Sequence, residues 1–236
     1  DSLKIKNTKI NRSIEYINLR AFGPLIIIMK RNNCFVYPKT VRESVDGLRH
    51  YDVGKEKLPS VTTILKATES EEKKQGLADW AARIGEDAAE KIVSESAARG
   101  TAMHKILEKY ILEQGYLDLT NVGKQAHNMA LQVIQKGLCN VSEYYGTECT
   151  LYYPGLYAGQ TDLVGVHKGQ DAIMDFKQTN KPKKREWIED YCLQLAAYAM
   201  AHNFIYKTSI SKGIVMMCSK DNFYQEFVIE GLEFQK

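Results

Sequence analysis

With 236 residues and 44% hydrophobic content, the chain can bury one large core, or a core with an appendage, and does not suit disorder away from its ends. A formal net charge of only +3 does not announce a nucleic-acid binder, although "KPKKR" (Lys181 to Arg185) concentrates positive charge locally. The five cysteines, Cys34, Cys139, Cys149, Cys192 and Cys218, are scattered without a CxxC pair, which argues against a disulfide framework or structural zinc and for a reducing, intracellular setting.

Residues 14–37 read as β: "LIIIM", the turn-like "KRNN" and "CFVY" suggest a hairpin. The polar stretch "KTVRESVDGLRHYDVGKEK" predicts a loop with one short strand. In "LPSVTTILKAT" a Pro-Ser step precedes an apolar run, so Ser60 caps a short helix. Residues 71–114 are helical almost throughout, as at least two helices, with apolar stripes at Leu77, Trp80, Ala81 and Ile84 and at Met103, Ile106, Leu107 and Tyr110, and with Gly85 and Gly100 as joints. A further helix over 121–136 buries Ala126, Met129, Val133 and Ile134.

From Gly146 the period changes to alternation, giving strands "GTECTLYY", "GQTDLVGV" and "DAIMDFK" as an antiparallel meander, with "HKGQ" turning between the last two. Trp187 to Asn203 returns to helix, and "GIVMMC" and "FYQEFVIE" close the chain as strands around "SKDN". This order implies an α/β or α+β layer with a mixed sheet. The divisions are a β-rich N-terminal extension, 1–57, and a core, 58–236, carrying a helical insertion, 71–137. The apolar run "PLIIIM" is too short to span a bilayer, and no signal peptide or Arg-rich transit segment is visible. That pattern points to the cytoplasm. The first residue is not Met, which leaves a removed leader open.

Asp175 and Lys177 stand on a strand that otherwise reads as core, and an unpaired buried charge costs several kcal/mol, roughly. A Lys168-Gly169 turn places Asp162 opposite Asp175; a Gly169-Gln170 turn places it opposite Lys177. In both registers the three side chains share a face. Opposed carboxylates need a positive charge between them, and hard oxygen ligands suit Mg2+ or Mn2+. Two carboxylates, Lys177 and a metal beside a basic loop suit phosphodiester hydrolysis. In isolation, a DxK is more plainly a pair of solvent-facing edge charges.

Gln194 and Tyr198, one helical turn apart, are positioned to line the same cleft or to form an exposed pair. His104 is either a metal ligand or phosphate contact, or a satisfied structural residue; Glu148 is either a further acid near the metal or a surface charge. Lys181, Lys183, Lys184 and Arg185 are placed for phosphate contacts that add affinity without reading sequence. Tyr152, Tyr153 and Tyr157 suit stacking on single-stranded bases or, more simply, a place in the core or on the sheet face.

The series His104, Asp162, Asp175-Phe176-Lys177, Gln194 and Tyr198 resembles the RecB-type branch of the PD-(D/E)XK nucleases. Within that branch, "PSVTTIL", "RGTAMHKILE" and "DFKQTNKPK" are similar to the mitochondrial genome maintenance exonucleases and their bacterial and phage relatives. The resemblance covers roughly residues 58–230. It implies a restriction-endonuclease-like mixed sheet flanked by helices, and a Mg2+- or Mn2+-dependent DNA exonuclease acting on single-stranded ends or flaps in replication, repair or recombination. By position it gives metal to Asp162, Asp175, the Phe176 carbonyl and His104, assistance of the nucleophile to Lys177, completion of the pocket to Gln194 and Tyr198, and DNA contacts to Ser60 and Thr62. The "PD" proline is absent, since Thr161 precedes Asp162; a proline is no ligand, so the chemistry is unaffected. Isolated Cys192 and Cys218 disfavour the iron-sulfur variant of the branch. Without a visible transit segment, a bacterium or phage-infected host is the expected setting, and a mitochondrion follows only if a leader was removed. Two other functions fit the same residues: a restriction-like endonuclease, and a catalytically silent single-strand binder.

Overall fold

The structure, a computed structural model, describes residues 29–45, 47–231 and 234. Most of "LIIIM" lies outside the described residues. The "KRNN" stretch holds a short strand, β1 (Lys30–Arg31), instead of the expected turn, and it pairs parallel with β5 (Val141–Tyr153) through Lys30 opposite Glu143 and Arg31 opposite Tyr144. "CFVY" forms no strand. Phe35 packs edge-on against His202 at 4.8 Å between ring centroids, and the Tyr206 hydroxyl donates to the Val36 carbonyl at 2.8 Å. Aromatic packing has replaced the expected ladder.

The polar stretch that follows is a three-stranded antiparallel sheet, β2 (Val41–Val45), β3 (Leu48–Val53) and β4 (Glu56–Pro59), where a loop with one strand was expected. Its inward side is thin: Tyr51 and Leu58 are buried with Ala158, while Val41 and Leu48 are exposed. Such sparse burial leaves little alternation to read. Ser60 then caps α1 (Val61–Ala67), its hydroxyl accepting the Thr63 N–H at 3.0 Å.

Two helices, α2 (Glu71–Ile84) and α3 (Glu86–Ile111), meet at Gly85, whose φ of 90° suits a residue without a Cβ. Gly100 is not a joint. It lies within α3, where an added Cβ would come 3.2 Å from the Gln178 side chain, so it serves close helix–sheet approach. The next helix, α4 (Asn121–Lys136), has the predicted bounds and buries Ala126, Met129, Val133 and Ile134.

The central sheet runs β1-β5-β6-β7-β8-β9, with β6 (Tyr157–His167), β7 (Gln170–Thr179), β8 (Lys212–Ser219) and β9 (Tyr224–Glu230). β7 and β8 are parallel, which requires a crossover, and α5 (Glu189–Tyr206) supplies it. Alternate residues of β7 serve two cores. Met174 and Phe176 pack with Met103, Leu107, Met129 and Met216 on the α3/α4 side. Ile173 packs with Leu195, Tyr198, Ala199 and Val215 on the α5 side. Fully burying a side chain such as Leu107 contributes about 2 kcal/mol, so the sheet is a rigid platform with its strand ends free for chemistry.

Candidate active site

The β6–β7 turn sets the geometry. His167 pairs with Gln170, and Lys168 and Gly169 both have positive φ, 49° and 80°, the signature of a two-residue type I′ turn. This selects the register that aims Asp162 at Asp175. The ladder pairs as far as Leu163 with Met174 and then opens. Beyond it Asp162 Oδ2 accepts the Phe176 N–H at 2.5 Å, and the Thr161 hydroxyl donates to the Met174 carbonyl at 3.2 Å. The acid thus occupies the gap where the strands part, open to groups from neighbouring elements.

From α3, His104 Nδ1 lies 3.0 Å from Asp162 Oδ1. From β5, Glu148 stands opposite Asp162, between the pairs Thr147–Leu163 and Cys149–Thr161, with a left-handed φ of 51°. Ligand atoms of His104, Glu148 and Asp162 lie within 4.8 Å of one another. Asp175 and Lys177 form an ion pair on β7, and the Lys177 ammonium lies 5.1 Å from the centre of the Tyr191 ring on α5. Gln194 Nε2 donates to the Tyr198 hydroxyl at 3.0 Å. The Tyr198 ring fits against Gly159, where an added Cβ would sit 2.4 Å from it.

Negative charge exceeds what these partners neutralise. Burial, reinforced by Asp162, pushes the Glu148 carboxyl up to about 7. Burial also raises Asp175 to about 6 against the opposing pull of Lys177. For Asp162 burial works the same way, but His104, Lys177 and the Phe176 N–H outweigh it and hold the carboxyl below its usual range. Burial opposes protonation of His104, yet Asp162 lifts it to about 9. Burial likewise works against the Lys177 ammonium, and Asp175 and Asp162 overcome it. Burial is the largest cause of both raised carboxyls, and a positive charge brought among them would offset it. The carboxylates of Glu148 and Asp162 and the His104 imidazole form a donor set that could hold a divalent cation.

The remaining sequence candidates differ in how open they are. The buried Ser60 commits its hydroxyl to the helix cap, while Thr62 is exposed. Lys181 and Lys184 are exposed, and Lys183 and Arg185 are half-buried. Tyr152, Tyr153 and Tyr157 are partly buried in packed clusters, the simpler of their two expected roles. Phe176 contributes its N–H to Asp162 and packs its ring 6.2 Å from His104. Arg99, the first residue of "RGTAMHKILE", and Tyr191 are given no role by sequence pattern. The Arg99 guanidinium, buried on α3, binds the side-chain oxygens of Gln178, at 3.0 Å, and Asn180, tying the helix of His104 to the exit of β7.

No protein-family model matches the chain. Over 174 residues it is 29% identical to mitochondrial genome maintenance exonuclease 1 of Mus musculus, covering 70% of this chain and 50% of that protein. The corresponding Homo sapiens protein is 29% identical over 176 residues, 70% of this chain and 50% of its own. The Xenopus tropicalis protein is 26% identical over 178 residues, 70% of this chain and 49% of its own. The chain spans about half the length of the curated relatives it matches. Among the described residues no helix is long and apolar enough to cross a membrane.

Proposed function

We propose that this chain is a metal-dependent deoxyribonuclease that hydrolyses phosphodiester bonds from single-stranded ends or flaps of DNA during genome maintenance. The observation that carries it is the convergence of Glu148, Asp162 and His104 at an opened ladder end, beside the Asp175–Lys177 pair. The names of the relatives support exonuclease action and make a mitochondrial setting the one to test beside a bacterial or phage one.

Asp162, Glu148 and His104 would hold the cation, with Asp175 and the Phe176 carbonyl as further oxygen donors. When bound, Mg2+ or Mn2+ supplies charge against the phosphate oxygens and an acidic water for attack. Asp175 orients Lys177, whose ammonium faces charge developing on the phosphate. Gln194 and Tyr198 wall the cleft on the α5 side. Lys181, Lys183, Lys184 and Arg185 hold the backbone of the strand, and exposed Thr62 is placed for a phosphate contact that the capped Ser60 hydroxyl is not.

Degradation of an end-labelled single-stranded oligodeoxynucleotide tests this reading. Cleavage should require Mg2+ or Mn2+, stop with EDTA, and fall at least about a thousandfold in Asp162→Asn and Lys177→Ala, with unchanged circular dichroism. A covalently closed single-stranded circle should stay intact. Wild-type rates in both variants would remove this site from the reaction; a cut circle would replace exonuclease by endonuclease, and binding without cleavage would leave a silent binder.

A further inference from the structure

We propose that Trp187, with Lys184 beside it and Tyr191 four residues further on, is a stacking platform that seats a base of a single strand on its way to Lys177. This rests on the deoxyribonuclease reading and deepens it by naming the residue that would seat a base of its single-stranded substrate. Large aromatic side chains are ordinarily well buried on average, yet Trp187 is 57% exposed, while its neighbour Ile188 is fully buried and anchors the turn. The platform is held in place from below. Lys183 exchanges two hydrogen bonds with the Gln225 side chain on β9, at 2.7 and 2.8 Å, and the Trp187 N–H donates to the Lys184 carbonyl at 3.1 Å.

Charge and aromatic surface are paired twice along this segment. The Lys184 ammonium is 5.3 Å from the centre of the Trp187 ring, and its acidic neighbour Glu186 is no closer than 3.9 Å, with both side chains open to water. Four residues further on, Tyr191 faces Lys177, which holds Asp175. A single strand presents both complements to that series, phosphates for the lysines and free base faces for the rings. A duplex hides its base faces in its own stack. A second aromatic–lysine pair provides the comparison: Phe204, 42% exposed with Lys207 at 4.8 Å, packs on Tyr153 near the other end of α5, roughly 25 Å along the helix.

Binding of a fluorescein-labelled oligothymidylate of about a dozen nucleotides, compared with an abasic deoxyribose-phosphate chain of the same length, tests the platform. Anisotropy in EDTA excludes hydrolysis. Wild-type protein should prefer the thymidylate about tenfold; Trp187→Ala should erase the preference, Trp187→Phe should keep most of it, and Phe204→Ala should leave it unchanged. No wild-type preference for bases, or a full preference in Trp187→Ala, would overturn the proposal. With metal restored, Trp187→Ala should raise KM for the thymidylate at unchanged kcat. An Asp162→Asn protein that cleaves normally would instead sink the deoxyribonuclease reading and leave the binding result to decide the platform.

Discussion

Without a cation, Glu148 is the costliest member of the cluster at neutral pH. Its carboxyl is lifted to about 7 by burial and by Asp162, so the folded state binds its proton more tightly than the unfolded chain does. The metal-free protein should therefore gain stability as pH falls from about 7 toward the ordinary carboxylate range, and the full penalty should be present at pH 8. His104, raised to about 9, adds stability below the usual imidazole range that is lost as pH rises through 9, the same direction. Glu148→Gln should accordingly stabilise the metal-free protein at pH 8 by about 1–2 kcal/mol, a few degrees in Tm. Excess Mn2+ should reverse the order by stabilising only the intact donor set. Thermal melts of both proteins, with and without the ion, check this; a Glu148→Gln protein less stable than wild type in EDTA would contradict it. Much at this scale was legible. The glycine-bearing β6–β7 turn narrowed the place of Asp162 to two registers, opposite Asp175 or opposite Lys177, and the turn residues Lys168 and Gly169 select the first. Arg99 and Tyr191 could not be read, because their partners lie on other elements and no local spacing announces them.

Elements place these residues through close approach. Gly159 on β6 leaves room for the Tyr198 ring, and a methyl group there would lie 2.4 Å from a ring carbon and 2.7 Å from the hydroxyl. Gly159→Ala should force α5 away from the sheet, costing about 1–3 kcal/mol in urea unfolding and lowering kcat as Tyr198 and Gln194 shift. Unchanged stability and turnover would show that the ring is free to move. Helix caps and long amphipathic helices were readable: the Ser60 cap and α4 fall where periodicity puts them. Gly100 misled because glycine marks both chain breaks and close packing, and only the neighbouring Gln178 distinguishes them. The three-stranded sheet was missed because little of it beyond Tyr51 and Leu58 is buried, so its strands look like a polar loop.

On the whole molecule, a net charge of +3 gives little long-range steering, so affinity for nucleic acid should reside in the loop after β7. Replacing Lys184 and Arg185 together by Ala should lower the slope of log affinity against log salt by about 0.7 for each phosphate contact removed. An unchanged slope would place the strand elsewhere. A mixed sheet with a helical layer was legible from the order of periodicities. The pairing of β1 with β5 was not, because two residues captured by an open edge carry no pattern. The meeting of α3 and three strands around Asp162 was implied by the resemblance and not by periodicity, because long-range packing decides it.

Binding of Mn2+, followed by electron paramagnetic resonance in wild-type protein and in Asp162→Asn, addresses the metal centre most directly. At least one ion should bind the wild-type chain at micromolar concentrations, on the order of what an enzyme site needs, and that binding should disappear in the variant. Equal Mn2+ binding by the two proteins would contradict a metal centre at the end of the β6–β7 ladder.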